Sequence, residues 1–407
     1  MKLLLKIIGG LLLLIVLFVG GFFAYVQITG IPSYETQPVD LKVEATPVRV
    51  ARGKAIANML CKQCHLDLAT GKLTGHRLED LPPDFGTAYS RNITRDPEHG
   101  VGSWTDGEIA YLLRTGIKRN GHYAPPWMVK LPRIADEDIY SIIAFLRSDD
   151  SLVQASSIPS RESQPSFLAK FLCHVAFKPF VYPDHEIKAP DIHDKVVYGK
   201  YIVQDVLSCY SCHSASFKTM DENHPEKSQG YLGGGNGMPG MDGKLVYTAN
   251  LTPDLTGIGN LSEDDFVKAV REGIRPDGRP LRYPMTRLPE LGEEEARAIY
   301  AYLKTVPPIH NEVNRTFSDL GGSALSDGKA IYHKYGCIAC HGETGVGLGD
   351  LTRSKIDFPA DSSLRAWIQN PPSFKPMTKM PPFKGIIQDA EYAPLMAYVR
   401  QLSDAKK

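Results

Sequence analysis

The sequence predicts an all-α protein: three tandem helical domains behind an N-terminal transmembrane helix. One uncharged apolar segment opens the chain, one short motif recurs three times, and each recurrence ends in an apolar stripe at helical spacing. At 407 residues the chain has room for two or three domains. Its 43% hydrophobic and 23% charged content is that of an ordinary globular protein. Lys plus Arg and Asp plus Glu number 46 each, so the basic excess of a nucleic-acid binder is missing.

The first element is the segment Ile7 to Thr29, which carries no charge and one amide, Gln27. It is longer than a signal-peptide core, which runs about 7–15 residues, and no convincing small-residue cleavage site follows. About 20 residues suffice to span a bilayer as a helix. Lys2 and Lys6 precede the segment and the next lysine is Lys42, which puts the N-terminus in the cytoplasm. We therefore expect residues 1–30 to be a retained single-pass anchor in the cytoplasmic (inner) membrane, with the rest of the chain on the periplasmic side.

Self-similarity organises that remainder. A Gly-Lys pair, Gly53-Lys54, Gly199-Lys200 and Gly328-Lys329, lies 8, 10 and 9 residues before the first cysteine of a C-x-x-C-H motif. The residues between suit a helix that delivers the cysteines at its end. Copies one and two then share a middle section, "SRNITRDPEHGVGSWTDGEIAYLLRTGI" and "YTANLTPDLTGIGNLSEDDFVKAVREGI", aligning Asn92 with Asn250 and Thr94 with Thr252. Thr105 with Glu108, and Ser262 with Asp265, read as helix capping pairs. In copy three "DSSLRAWIQNPPSF" replaces this section. Each copy closes on an amphipathic helix: Ile139/Ile142/Ile143/Leu146, Ala296/Ile299/Tyr300/Leu303 and Tyr392/Leu395/Met396/Val399. Pro394 is expected to kink the last one or delay its start. The expected domains are 47–150, 194–308 and 320–405, with a linker at 151–193 that has prolines at both ends and an apolar centre.

The three motifs carry the chemistry. Cys61/Cys64, Cys209/Cys212 and Cys337/Cys340 are each followed at once by His65, His213 or His341, and only Cys173 stands apart. Zinc takes four ligands, usually as two separated pairs, and no second pair lies near any of these. Haem explains all three residues together: two thiols one turn apart add to the vinyl groups, and the adjacent imidazole rises beneath the iron. Three covalently attached haem c groups are expected.

A methionine sulfur on the other face of the iron raises the reduction potential. Met128 opens "MVKLP" and Met285 opens "MTRLP", each 18 residues before Leu146 or Leu303, and Met380 lies 19 residues before Val399. These three are the expected axial ligands. Met238 and Met241 fall in the glycine-rich "GGGNGMPGMDG" loop, Met377 is out of register, and Met396 belongs to a core stripe.

The three C-x-x-C-H sites, the doubled N-[IL]-T segment and the capped helix after it resemble the membrane-bound trihaem cytochrome c subunits of bacterial alcohol and gluconate dehydrogenases. The likeness covers nearly the whole chain beyond the anchor. It implies three cytochrome c folds, His/Met-ligated haems, and electron transfer from a dehydrogenase subunit towards quinone or an oxidase.

Other features read as structural. Cys173, beside His174, is expected to be a buried thiol in the apolar linker. "GYLGGGNG" lacks the strand context and the lysine-serine ending of a phosphate loop. The acidic runs from Ser262 and Gly292 fit helix N-termini. The expected function is a membrane-anchored electron carrier between a dehydrogenase or other donor and a respiratory acceptor such as an oxidase or small cytochrome, without catalysis of its own. The alternatives are a haem enzyme, a peroxidase or sulfur-compound oxidoreductase with one exchangeable ligand, and a scaffold within a respiratory complex.

Overall fold

The computed structural model describes residues 2–78, 81–239, 245–278, 281, 284–313, 328–342, 344–346, 349–375, 378, 380 and 382–404. The protein is helical, with four very short strands in two antiparallel pairs among the described residues. It divides into two compact units, Met1–Ala189 and Pro190–Lys407.

In the first unit, α1 (Lys2–Thr29) is apolar and exposed along most of its length. Its stretch Leu3–Thr29, 27 residues, is long and apolar enough to cross a membrane. Next come α2 (Pro47–Leu60), α3 (Lys62–His65), α4 (Asp106–Thr115), α5 (Asp136–Arg147) and α6 (Phe167–Val175). Strand β1 (Gly86–Thr87) pairs with β2 (Gln164–Pro165) just before α6. Thr105 and Glu108 form the expected capping box on α4, which ends at Gly116 in the left-handed region, φ 82°.

The second unit holds α7 (Lys195–Tyr201), α8 (Cys209–His213), α9 (Glu263–Glu272) and α10 (Glu293–Leu303). It continues with α11 (Gly328–Lys334), α12 (Ile338–His341), α13 (Ser354–Asp357), α14 (Asp361–Gln369) and α15 (Asp389–Asp404). Strands β3 (Gly237–Pro239) and β4 (Leu245–Tyr247) pair with each other after α8 in sequence. Helix α15 starts five residues ahead of Pro394 and runs through it, so its start is not delayed. The proline removes one helical hydrogen bond. Tyr392 and Leu395, each 1% exposed, and the Tyr335–Glu391 hydrogen bond hold the helix on either side of it.

One packing device recurs three times. The glycine of each Gly-Lys pair lies where the helix before the cysteines crosses the closing helix: α2 on α5, α7 on α10, and α11 on α15. A Cβ on Gly53 would stand 1.8 Å from the Ser141 carbonyl oxygen, on Gly199 1.9 Å from that of Ala298, and on Gly328 2.0 Å from that of Pro394. Only glycine lets the two backbones approach this closely. The closing stripe supplies the core at the crossing: Ile139, Ile142, Ile143 and Leu146 are buried, as are Ala296, Ile299 and Leu303. Burying such side chains stabilises by roughly 1.5–3 kcal/mol each.

The unequal spacing from glycine to cysteine has a local explanation. In copy one the helix runs on to Leu60 and Cys61 caps it. In copy two the extra residues are absorbed by a π turn at Ile202–Val206 and by Ser208 in the left-handed region, φ 49°. In copy three Gly336, φ 69°, ends α11, and the Cys337 N–H returns to the Tyr332 carbonyl at 3.0 Å, a Schellman closure.

Candidate haem-binding site

Each C-x-x-C-H ends in a single helical turn, α3, α8 or α12. The His65 and His341 amides donate to the Cys61 and Cys337 carbonyls at 2.8 and 3.0 Å. That turn sets the two sulfurs and the imidazole on one side of the chain. Burial pushes the thiols of Cys61, Cys209 and Cys337 each up to about 12, so they rest in the protonated form.

The imidazoles share a second feature. His65 Nδ1 lies 2.7 Å from the Arg91 carbonyl, His213 Nδ1 2.8 Å from that of Ala249, and His341 Nδ1 2.7 Å from that of Gly349. A carbonyl oxygen only accepts, so Nδ1 carries the proton in all three and Nε2 keeps its lone pair. Metal-bound histidines are oriented in this way by an outer partner. Burial also pushes all three imidazoles below their ordinary pKa, which favours the neutral, ligating form.

The doubled N-x-T segment presents two of those carbonyls, since Arg91 and Ala249 directly precede Asn92 and Asn250. Asn92 Oδ1 accepts from the Thr94 amide and hydroxyl at 2.9 and 2.7 Å, and Asn250 Oδ1 from those of Thr252 at 2.9 and 2.8 Å. Asn92 Nδ2 donates to the Ser156 and Ile158 carbonyls, and Asn250 Nδ2 to the Ile309 carbonyl and Thr256. All four residues are buried. The repeat is visible in the sequence, and its work as a clip for the histidine acceptor emerges only in three dimensions.

In the first unit the site opens into a cavity of about 910 Å³ lined by Cys61, Cys64, His65 and Met128 among mostly apolar neighbours. A volume near the upper end of ligand-pocket sizes, with two thiols, an imidazole and a thioether on its wall, fits a haem. His65 and Met128 would supply the axial ligands and Cys61 and Cys64 the thioether links.

Met128 and Met285 occupy the same place in a strap that returns from α4 or α9 to the closing helix. Ala124 donates to the Gly116 carbonyl and Leu131 to that of Leu113; in copy two Leu281 donates to Gly273 and Leu288 to Val270. Each methionine sits three residues before the second of these bonds. An arginine fastens the far end: buried Arg114 donates from Nη1 to the Ile134 carbonyl at 2.5 Å and pairs with Asp136, and Arg271 Nε donates to the Leu291 carbonyl at 2.8 Å. The aligned "LLRTGI" and "AVREGI" held this signal. Met285 is 37% exposed, whereas Met128 faces the cavity.

In the third copy Met380 and Cys337 pack against one buried cluster that includes Ile331, Leu364 and Leu395. Met238 lies in β3 and Met396 is buried in the core; Met241 and Met377 fall outside the described residues. Cys173 is buried, and burial pushes its thiol up to about 11, as expected of a structural thiol. Within the second unit, Arg287 of the Met285 strap places Nη2 3.9 Å from Cys340 Sγ. Copies two and three therefore meet at the third motif.

Comparison with known proteins agrees with this chemistry. Residues 196–307 match the family model described as cytochrome c, and residues 323–399 match cytochrome c oxidase, cbb3-type, subunit III. The chain is 27% identical over 390 residues to the alcohol dehydrogenase (quinone) cytochrome c subunit of Gluconobacter oxydans, covering 88% of this chain and 79% of that one. It is 26% identical over 359 residues to the fructose dehydrogenase cytochrome subunit of Gluconobacter japonicus, covering 79% and 69%. It is also 27% identical over 328 residues to the gluconate 2-dehydrogenase cytochrome c subunit of Pantoea cypripedii, covering 76% of this chain and 72% of that one.

Proposed function

We propose that this chain, a cytochrome c of the kind that serves as the cytochrome subunit of dehydrogenases, is a three-haem electron carrier anchored in the cytoplasmic membrane with its haem domains on the periplasmic side. It takes electrons from a dehydrogenase subunit and passes them to a respiratory acceptor. When bound, the haem supplies one-electron redox chemistry; the protein supplies ligand choice, burial and orientation.

The residues divide those tasks. Cys61/Cys64, Cys209/Cys212 and Cys337/Cys340 would fix each group covalently, and His65, His213 and His341 would offer Nε2 to it. Met128, Met285 and Met380 would offer thioether sulfurs, which would favour the reduced form. The Nδ1 hydrogen bonds hold each imidazole in one tautomer and one ring orientation, so little rearrangement accompanies a change of charge. The approach of Arg287 to Cys340 brings the Met285 strap of copy two against the third motif.

The reading rests on one observation: three cysteine pairs, each followed by a histidine whose Nδ1 proton goes to a carbonyl, so that Nε2 keeps its lone pair. Intact-mass measurement of natively matured protein tests it. Three covalent haem adducts are expected, with loss of one when both cysteines of a given pair are replaced by alanine. Fewer than three in the unaltered protein overturns the proposal.

A further inference from the structure

Helix α6 lies in the linker, and two of its three faces are accounted for. One faces the end of α1: Phe167 packs on Phe23 with ring centroids 4.4 Å apart, Phe171 on Phe22 at 6.0 Å, and His174 on Tyr25 at 5.4 Å. His174 Nε2 also lies 3.0 Å from the Gly30 carbonyl, and Lys170 Nζ donates to Gln27 Oε1 at 3.0 Å. A second face, Ala169 and Cys173, is buried in the unit, at 1% and 0% exposure. The third carries Leu168, Leu172 and Val175 at i, i+4, i+7, with Leu168 41% and Val175 50% exposed.

The position of α6 along α1 says what covers this third face. A bilayer core of about 30 Å takes roughly 20 helical residues, and Leu3–Thr29 has 27. Counted from Ile7, the first residue after the charged Lys6, roughly 20 residues end near Val26, so the last turns of α1 lie at the boundary between acyl core and headgroups, and α6 docks there. The exposed Phe23, Tyr25 and Ile28 of α1 continue the apolar surface of the span, and Phe23 and Tyr25 pack on Phe167 and His174, the sequence neighbours of the exposed Leu168 and Val175. Aromatic rings with flanking Lys170 and Lys178 are the composition of that boundary. A short amphipathic helix at that level lies in the membrane plane with its apolar side in the acyl boundary.

We infer that α6 is an interfacial helix whose Leu168–Leu172–Val175 face is covered by phospholipid, giving the protein a second membrane contact beside α1. The inference rests on α1 being a membrane anchor. It has a consequence for the first haem site. Ser163 and Pro165, shortly before α6, and Ile31, shortly after α1, all line the 910 Å³ cavity. The two membrane elements thus hold that site at the bilayer surface.

Photo-crosslinking of the full-length holoprotein in vesicles of phosphatidylethanolamine and alkyne-tagged phosphatidylglycerol tests this. p-Benzoylphenylalanine is introduced singly at Leu168, Leu172 and Val175, at Phe18 within α1, and at the exposed Asp149; an unchanged c-type absorption spectrum selects folded variants. Lipid adducts at Leu168 and Val175 several-fold above Asp149, and comparable with Phe18, are expected. Adducts at Phe18 with none at Leu168, Leu172 or Val175, or adducts there to protein only, overturn the α6 inference and leave the anchor standing. No lipid adduct at Phe18 overturns the anchor itself.

Discussion

In the first two copies the carbonyl that receives the histidine proton comes from far along the chain, 26 residues on for His65 and 36 for His213. In the third it comes from Gly349, only 8 residues on. The first arrangement needs the buried N-x-T clip, tied through the asparagine amide to the chain that follows the closing helix. The second needs only the short loop behind α12. The same constraint on an imidazole is met twice by tertiary structure and once by local geometry. A copy without the clip is therefore not a degraded copy; it has moved the acceptor within reach of its own motif.

This contrast can be broken at three levels. The largest effect belongs to what all copies share. Gly53→Ala, Gly199→Ala and Gly328→Ala each drive a Cβ to about 2 Å from a carbonyl oxygen that cannot rotate away. Overpacking commonly costs about 1–3 kcal/mol, and a backbone clash should exceed about 3 kcal/mol. Denaturant unfolding should show the loss in each variant; a change below about 1 kcal/mol would mean the helix pairs do not cross as described.

Intermediate effects should separate the copies. Asn92→Ala and Asn250→Ala remove a buried acceptor of two hydrogen bonds and should cost about 1–3 kcal/mol each, with altered spectra confined to the haem of that copy. The third copy should answer instead at Gly349, where an added Cβ would stand 2.7 Å from His341 Cε1. If His341 ligates the haem as proposed, resonance Raman or magnetic circular dichroism of Gly349→Ala should report a displaced imidazole. Equal spectral sensitivity of one haem to both kinds of change would contradict the division drawn here.

The smallest effect tests the frame that copies one and two have in common. Thr105→Ala removes the N-cap of α4, whose Oγ accepts from the Glu108 amide at 3.1 Å, and should cost about 1 kcal/mol with unchanged haem spectra. A spectral change would tie the start of α4 to the Met128 strap more closely than the hydrogen bonds do.

Much of this was legible beforehand because it is written in short-range patterns. The Cys-x-x-Cys-His motifs, the apolar stripe of Ile139 to Leu146, the Thr105–Glu108 box and the apolar span near the N-terminus each depend on neighbours within one or two helical turns. The linker was legible only as apolar. That its centre forms α6, and that Phe167, Phe171 and His174 dock on α1 while Cys173 turns inward, depends on contacts about 145 residues apart in the chain, which no window of sequence contains. The aligned Arg114 and Arg271 stood in plain view, yet their role as fasteners of the methionine straps depends on carbonyls 20 residues away.

The sequence by itself determined the three Cys-x-x-Cys-His motifs, their repetition and the helical faces, since those follow from residue type and periodicity. Tertiary structure decided which carbonyl holds each imidazole, why each Gly-Lys glycine can be nothing else, and how copy two accommodates its extra residues before Cys209. The physical reason is reach: a motif fixes what a side chain can bind, whereas the partner it binds is set by backbones brought together from distant parts of the chain.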